Sequence, residues 1–194
     1  SAVPEMNMEP ALPRSHTLTI PVIDISTFET GTCDERAATA AMVDRAASEV
    51  GFMQVVGHGI PPAAIDGLTA AIDGFFGLPL EQKTLVCPPS VDINRGYTGP
   101  MSERLSYSLG VESAADLFEA FNIGSVASAF PGVGLPMAHY PENIWPAYPI
   151  TFRSQVEAWF IEAGRLARTM TRIFAVALDL HGLHKLRQCG RPLT

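Results

Sequence analysis

Hydrophobic residues along this chain recur with a helical period in three stretches and gather into short extended runs in three others. Ile20-Pro21-Val22-Ile23-Asp24-Ile25 predicts a strand, with Pro21 near its start, where a missing N–H is tolerated. Thr32 and Glu35 have the spacing of a capping box, so a helix starts there and runs to about Val50. Ala38, Met42, Ala46 and Val50 recur every four residues and are its predicted buried stripe, with Gly51 as the stop. Phe52 to Val56 is mostly apolar, short and bounded by glycines, which predicts a strand buried on both faces. Pro61 and Pro62 open a second helix with Ile65, Leu68, Ile72, Phe75 and Phe76 on its apolar face. Leu80 to Leu85 adds one more helical turn, and residues 86–115 read as loops with short extended pieces. From Asp116 to Ile123 the pattern alternates, with Leu117, Glu119, Phe121 and Ile123 on one side, which is strand period. Residues 124–149 are another loop rich in proline and glycine.

Thr151 to Leu180 carries the longest helical pattern. Phe152, Val156, Trp159, Phe160, Ala163, Leu166, Ala167, Met170, Ile173, Phe174 and Ala177 form one stripe. Arg153, Glu157, Glu162, Arg165, Arg168 and Arg172 share the other face. At 1.5 Å per residue such a helix is about 45 Å long. The element order strand, helix, strand, helix, loops, strand, long helix predicts an α+β fold.

Composition narrows the class. In 194 residues, 47% are hydrophobic and 17% charged, which is a globular balance. The net charge of −7 argues against a nucleic-acid surface, which needs clustered Lys and Arg. No run reaches the roughly 18 apolar residues of a membrane span. Residues 1–19 hold three prolines and no apolar core, so they are expected to be a flexible lead-in rather than a signal peptide. Ser1 in place of methionine suggests processing, a cloning scar or a fragment. Cys33, Cys87 and Cys189 are odd in number and far apart, so no disulfide framework or zinc pattern is expected, and a cytoplasmic location is the default.

Six landmarks then occur in a recognisable order. They are Ile20-Pro21-Val22-Ile23-Asp24; Gly51-Phe52 with His58-Gly59-Ile60; Phe75-Phe76, Leu78-Pro79 and Glu81-Gln82-Lys83; Arg95-Gly96-Tyr97; Asp116, Glu119 and Phe121-Asn122-Ile123-Gly124; and Asn143 and Trp145-Pro146, followed by Phe152-Arg153. Over residues 20–180 the chain resembles the N-terminal region of isopenicillin N synthase-like, non-haem Fe(II)/2-oxoglutarate-dependent oxygenases. The resemblance implies the helical and short-strand region that precedes and packs around a jelly roll (double-stranded β-helix), with the jelly roll itself incomplete here. It implies Fe(II) and 2-oxoglutarate as cofactors, and a small organic substrate, for the complete enzyme. Residues 181–194 do not resemble the family's continuation and are expected to be an atypical tail from a frameshift, an early stop or a fragment boundary.

The family's iron site needs two imidazoles and one carboxylate, two of them as His-x-Asp or His-x-Glu on a strand. His16, His58, His139, His181 and His184 are followed two residues on by Leu18, Ile60, Pro141, Leu183 and Leu186, so this chain has no such pair. No catalytic, metal or cofactor residue is therefore expected in it. Arg104-Leu105-Ser106 matches the family's oxoacid motif only as text, because it precedes the long helix. His58 is either a metal or proton-transfer residue or a structural imidazole, and the resemblance treats it as structural. His181 and His184 could meet on one helical turn, but no third zinc ligand is evident. The resemblance also implies that Arg95 and Tyr97 lie in a loop that often contacts substrate, where a guanidinium can grip a carboxylate by a two-point fork. The competing reading has both residues packing locally around the Gly96 turn.

Two functional readings follow. In the first, the chain is the N-terminal part of an oxygenase and is inactive alone. In the second, it is a non-catalytic interaction module that docks on a partner chain. In the family, much of the long stripe packs on a sheet that this chain largely lacks. Exposed apolar surface and open strand edges at 52–56 and 117–123 therefore predict self-association.

Overall fold

The computed structural model describes residues 19–90, 92–100 and 117–180. The chain divides into two compact units, one of Ser1–Gly59 with Leu166–Thr194 and the other of Ile60–Arg165.

In the first unit, β1 (Val22–Asp24) pairs in parallel with β2 (Gln54–Val56), with Ile23 opposite Val55. A parallel pair needs a crossover. Here it is α1 (Ser26–Thr30) followed by α2 (Cys33–Glu49). The capping box forms as the spacing predicts: Glu35 N–H donates to Thr32 Oγ1, and Thr32 N–H donates to Glu35 Oε2 at 2.7 Å. The core joins Ile23, Ile25, Phe28, Ala40, Val43 and Ala46 to Ile173 from α5 (Phe152–Ala177). Thr169 of α5 donates to Glu29 Oε1 at 2.7 Å, and Arg172 pairs with the same carboxylate.

The buried face of α2 is Thr39, Ala40, Val43 and Ala46, not the predicted stripe of Ala38, Met42, Ala46 and Val50. At 100° per residue each set spans about 120° and both include Ala46, but the buried face is centred about 80° around the helix from the predicted one. Thr39 escapes a hydrophobicity reading because its hydroxyl is satisfied inside, donating to the Glu35 carbonyl at 3.0 Å and lying 3.1 Å from Thr27 Oγ1. Nor is β2 buried on both faces. Only Val55 turns toward the core, and Phe52 is 72% exposed, because among the described residues this sheet has two strands and one covered face. Cys33 is disulfide-bonded and Cys87 is a free, exposed thiol. The sequence reading, which expected no disulfide framework, did not foresee a bonded Cys33, since separation along a sequence does not fix separation in space. Cys189 lies outside the described residues.

In the second unit, α3 (Pro62–Phe76) begins at its proline pair, and α4 (Leu80–Lys83) continues into a 3-10 turn at Thr84–Val86. β3 (Gly96–Thr98) pairs antiparallel with β4 (Ala120–Asn122), Tyr97 opposite Phe121. The core is Ala71, Phe75, Val86, Tyr97, Phe152 and Val156, with Leu68, Phe121 and Trp145 packed against it. Ile65 and Ile72, predicted on the buried face of α3, are exposed on its flank. The predicted strand at 116–123 shortens to three residues, and β3 is one of the short extended pieces expected among the loops of residues 86–115.

The long helix is 26 residues, and its stripe is not left bare. Phe152 and Val156 enter one core and Ile173 the other, while Phe160 and Ile161 stay exposed. No single described helix is long and apolar enough to cross a membrane.

Candidate functional site

The sequence points to the segment around Arg95-Gly96-Tyr97, and the structure shows why that tripeptide is built as it is. Gly96 has φ +79°, and a Cβ there would run into the Val86 carbonyl oxygen. Only glycine combines that dihedral with that approach. It lets the chain enter β3 tightly against the 3-10 turn and directs Tyr97 into the interior.

Tyr97 is fully buried, and its hydroxyl donates to Glu119 Oε2 at 2.6 Å. Lys83 Nζ donates to the same oxygen at 2.5 Å and to the Phe76 carbonyl at 3.3 Å. It also lies 5.6 Å from the centre of the Tyr97 ring. One carboxylate thus ties α4 to β3, just before β4. A buried ammonium is costly unless it is paired, so the Glu119 carboxylate is what makes Lys83 tolerable there. The hydrogen bond from Lys83, then that from Tyr97, holds the Glu119 carboxyl below its ordinary value. Burial first, then the hydrogen bond to Glu119 and its charge, pushes the Tyr97 phenol up to about 12.

The signs give opposite pH limbs. Stability that depends on a raised phenol is full below its ordinary value of 10.0 and is lost as pH rises through about 12. Stability that depends on a depressed carboxyl is present above 4.5 and is lost as pH falls through the lower folded value. Tyr97→Phe is expected to remove the alkaline limb, and with it the phenolate absorbance step near pH 12. An absorbance titration of the folded chain that Tyr97→Phe leaves unchanged near pH 12 would show that Tyr97 is not held this way.

Arg95 is half-buried and turned to the protein backbone. Its Nη1 donates to the Asn94 carbonyl at 2.7 Å and its Nη2 to the Ser125 carbonyl at 3.1 Å, while Nε is buried without a partner. The guanidinium lies so close to Gly124 that a Cβ there would sit 2.6 Å from Nη2. Gly124 is held in turn by Asn143, which accepts from its N–H and donates to its carbonyl, both at 2.9 Å. Trp145 packs on Phe121 and Phe152, and the Arg153 guanidinium lies 5.5 Å from its ring centre. The landmark residues of this unit are therefore partners of one another.

Sequence reasoning missed the Lys83–Glu119 pair. Both residues stand inside landmarks, 36 positions apart, and a lysine and a glutamate among apolar neighbours were the available signal. His58 follows β2, half-buried and engaged with a neighbouring group, and His139 is exposed. Arg104, Ser106, His16, His181 and His184 lie outside the described residues. Among the described residues, no three His, Cys, Asp or Glu side chains gather as a metal would require. Among the described residues, no two imidazoles and one carboxylate stand together as the family's iron is expected to need.

The family described as non-haem dioxygenase in morphine synthesis N-terminal matches residues 20–148. The chain belongs to this family. Among curated relatives, it is 28% identical over 179 residues to validamycin A dioxygenase of Streptomyces hygroscopicus subsp. limoneus, covering 89% of this chain and 47% of that protein. It is 34% identical over 149 residues to azadirone synthase LFS of Melia azedarach, covering 74% and 42%. Among solved structures, a full-length Neurospora crassa protein crystallised in complex with alpha-KG and thymine superposes with a TM-score of 0.65 at 26% identity, covering 85% of this chain and 50% of that one. The chain spans about half the length of the relatives it matches. The mixture of helices with few, short strands agrees with the N-terminal region of such an oxygenase.

Proposed function

We propose that this chain is the N-terminal, non-catalytic region of a non-haem iron, 2-oxoglutarate-dependent oxygenase that oxidises a small organic substrate. The family match over residues 20–148 carries the reading. Relatives named as dioxygenases, and a neighbour holding alpha-KG and thymine, support the oxoacid and the small substrate. On this reading residues 20–180 are the oxygenase N-terminal region beside a jelly roll, with residues 1–19 a lead-in and 181–194 a tail. Iron and oxoacid ligands come from residues other than these 194, in the same polypeptide or in a second chain.

The substrate-side role of Arg95 and Tyr97 belongs to the same proposal. Burial of Tyr97 and the carbonyls on Arg95 favour an indirect role, in which both hold the β3–β4 hairpin.

Supplied with Fe(II), ascorbate and 2-oxoglutarate, the chain alone is expected to release no succinate above the protein-free blank. Succinate release in proportion to the chain would place the oxoacid chemistry within these residues and overturn the reading.

The docking-module reading draws on one observation. Leu85, Leu117 and Ile150 are each more than four-fifths exposed.

A further inference from the structure

We propose that the free edge of β1, with the groove beside it, is a twofold self-association face that joins two copies of this chain. The face lies wholly within the first unit and does not depend on the function proposed above.

The backbone sets the edge. Gln54 N–H donates to the Pro21 carbonyl at 2.9 Å, and Ile25 N–H donates to the Val56 carbonyl at 3.0 Å. Pro21, Ile23 and Ile25 therefore point their backbone groups at β2, and Val22 and Asp24 point theirs away. Neither has a backbone partner among the described residues. Pro21 does not blunt this edge, because its missing N–H falls on the β2 side. An open edge with its donors intact is a template for another strand.

A groove of about 320 Å³ runs along the edge, lined by Pro21, Val22, Ile23, Met42, Arg45 and Glu49 among others. Val22 and Met42 are exposed apolar side chains in it. Among the described residues, neither the Arg45 guanidinium nor the Glu49 carboxylate has an ion-pair partner. They stand one helical turn apart on α2, one positive and one negative.

That charge order selects the occupant. A second copy related by a twofold axis at Ile23 lays its β1 antiparallel to the first. Val22 then faces Asp24 of the other copy, and the two exchange both N–H···O bonds, twice over by symmetry. Ala46 shares the core and the groove with Ile23, so the same axis passes close to the middle of the groove-lining part of α2. The two α2 helices then run antiparallel, and each Arg45 meets the other copy's Glu49. A peptide with no charge pattern would satisfy the strand edge but leave both charges idle.

Sedimentation velocity on the full 194-residue chain over a concentration series tests the proposal. A monomer–dimer equilibrium is expected, with Val22 and Asp24 amides gaining exchange protection as concentration rises. Arg45→Glu and Glu49→Arg are each expected to weaken the dimer about tenfold or more. The Arg45→Glu/Glu49→Arg double variant is expected to restore it, which also shows that the variants fold. A monomer at every concentration would overturn the proposal. So would an open-ended series of larger species, a dimer indifferent to both single reversals, or a double variant that fails to recover.

Discussion

Phe75→Ala is expected to lower stability by about 3–5 kcal/mol. The ring is 0% exposed and touches four other rings: Phe76, Tyr97, Phe121 and Phe152, at centroid distances of 5.3, 5.9, 4.9 and 5.1 Å. They come from α3, β3, β4 and α5, so one side chain joins every major element of its unit. Removing it leaves a cavity whose walls are poorly free to collapse. Tyr97 is tied to Glu119, and Phe121 and Phe152 are packed on Trp145. A loss of that size is a large share of the roughly 5–15 kcal/mol that holds a typical domain. Denaturant melts followed by tryptophan emission read it, because Trp145 borders the cluster. Phe52→Ala is the control: at 72% exposure, it is expected to change stability by no more than about 0.5 kcal/mol. A Phe75 variant as stable as the Phe52 variant would mean that the aromatic cluster does not form.

Ile173→Ala should cost about 2–5 kcal/mol for the same reason in the other core. Ile173 is 0% exposed and packs with Val43, Ala40 and Phe28. Its comparison is Ile161 on the same helix, 67% exposed, where alanine is expected to be near neutral. Equal losses at the two sites, measured by chemical denaturation, would contradict the assignment of which face of α5 is inside.

Local chemistry was legible in the chain where it is complete within a few residues. The Thr32–Glu35 box, the Pro61-Pro62 start and the extent of α5 each follow from spacing alone. Burial on α2 and α3 was less legible, because an apolar residue can sit on a flank and a threonine can be satisfied inside. Ile65 and Ile72 were expected inside and are exposed, while Thr39 is buried on the strength of two hydroxyl contacts. β3 was legible only as one of the short extended pieces expected within residues 86–115, without its position. It is three residues long and starts with a glycine at positive φ, so no alternation could reveal it. The Lys83–Glu119 bond joins positions that only the folded chain brings together. The six landmarks were readable as a family signature, but their roles were not. In the structure Gly96, Tyr97, Glu119, Gly124, Asn143 and Trp145 are mostly partners of one another, which is the pattern of a scaffold.

Anaerobic titration of Fe(II) into the 194-residue chain, with and without 2-oxoglutarate, tests the assignment most directly. No stoichiometric iron site is expected and no dependence on the oxoacid, because none of the five histidines has an acidic residue two positions on. A single tight Fe(II) site per chain, strengthened by 2-oxoglutarate, would show that these residues build the metal centre themselves and would contradict their assignment as the non-catalytic N-terminal region.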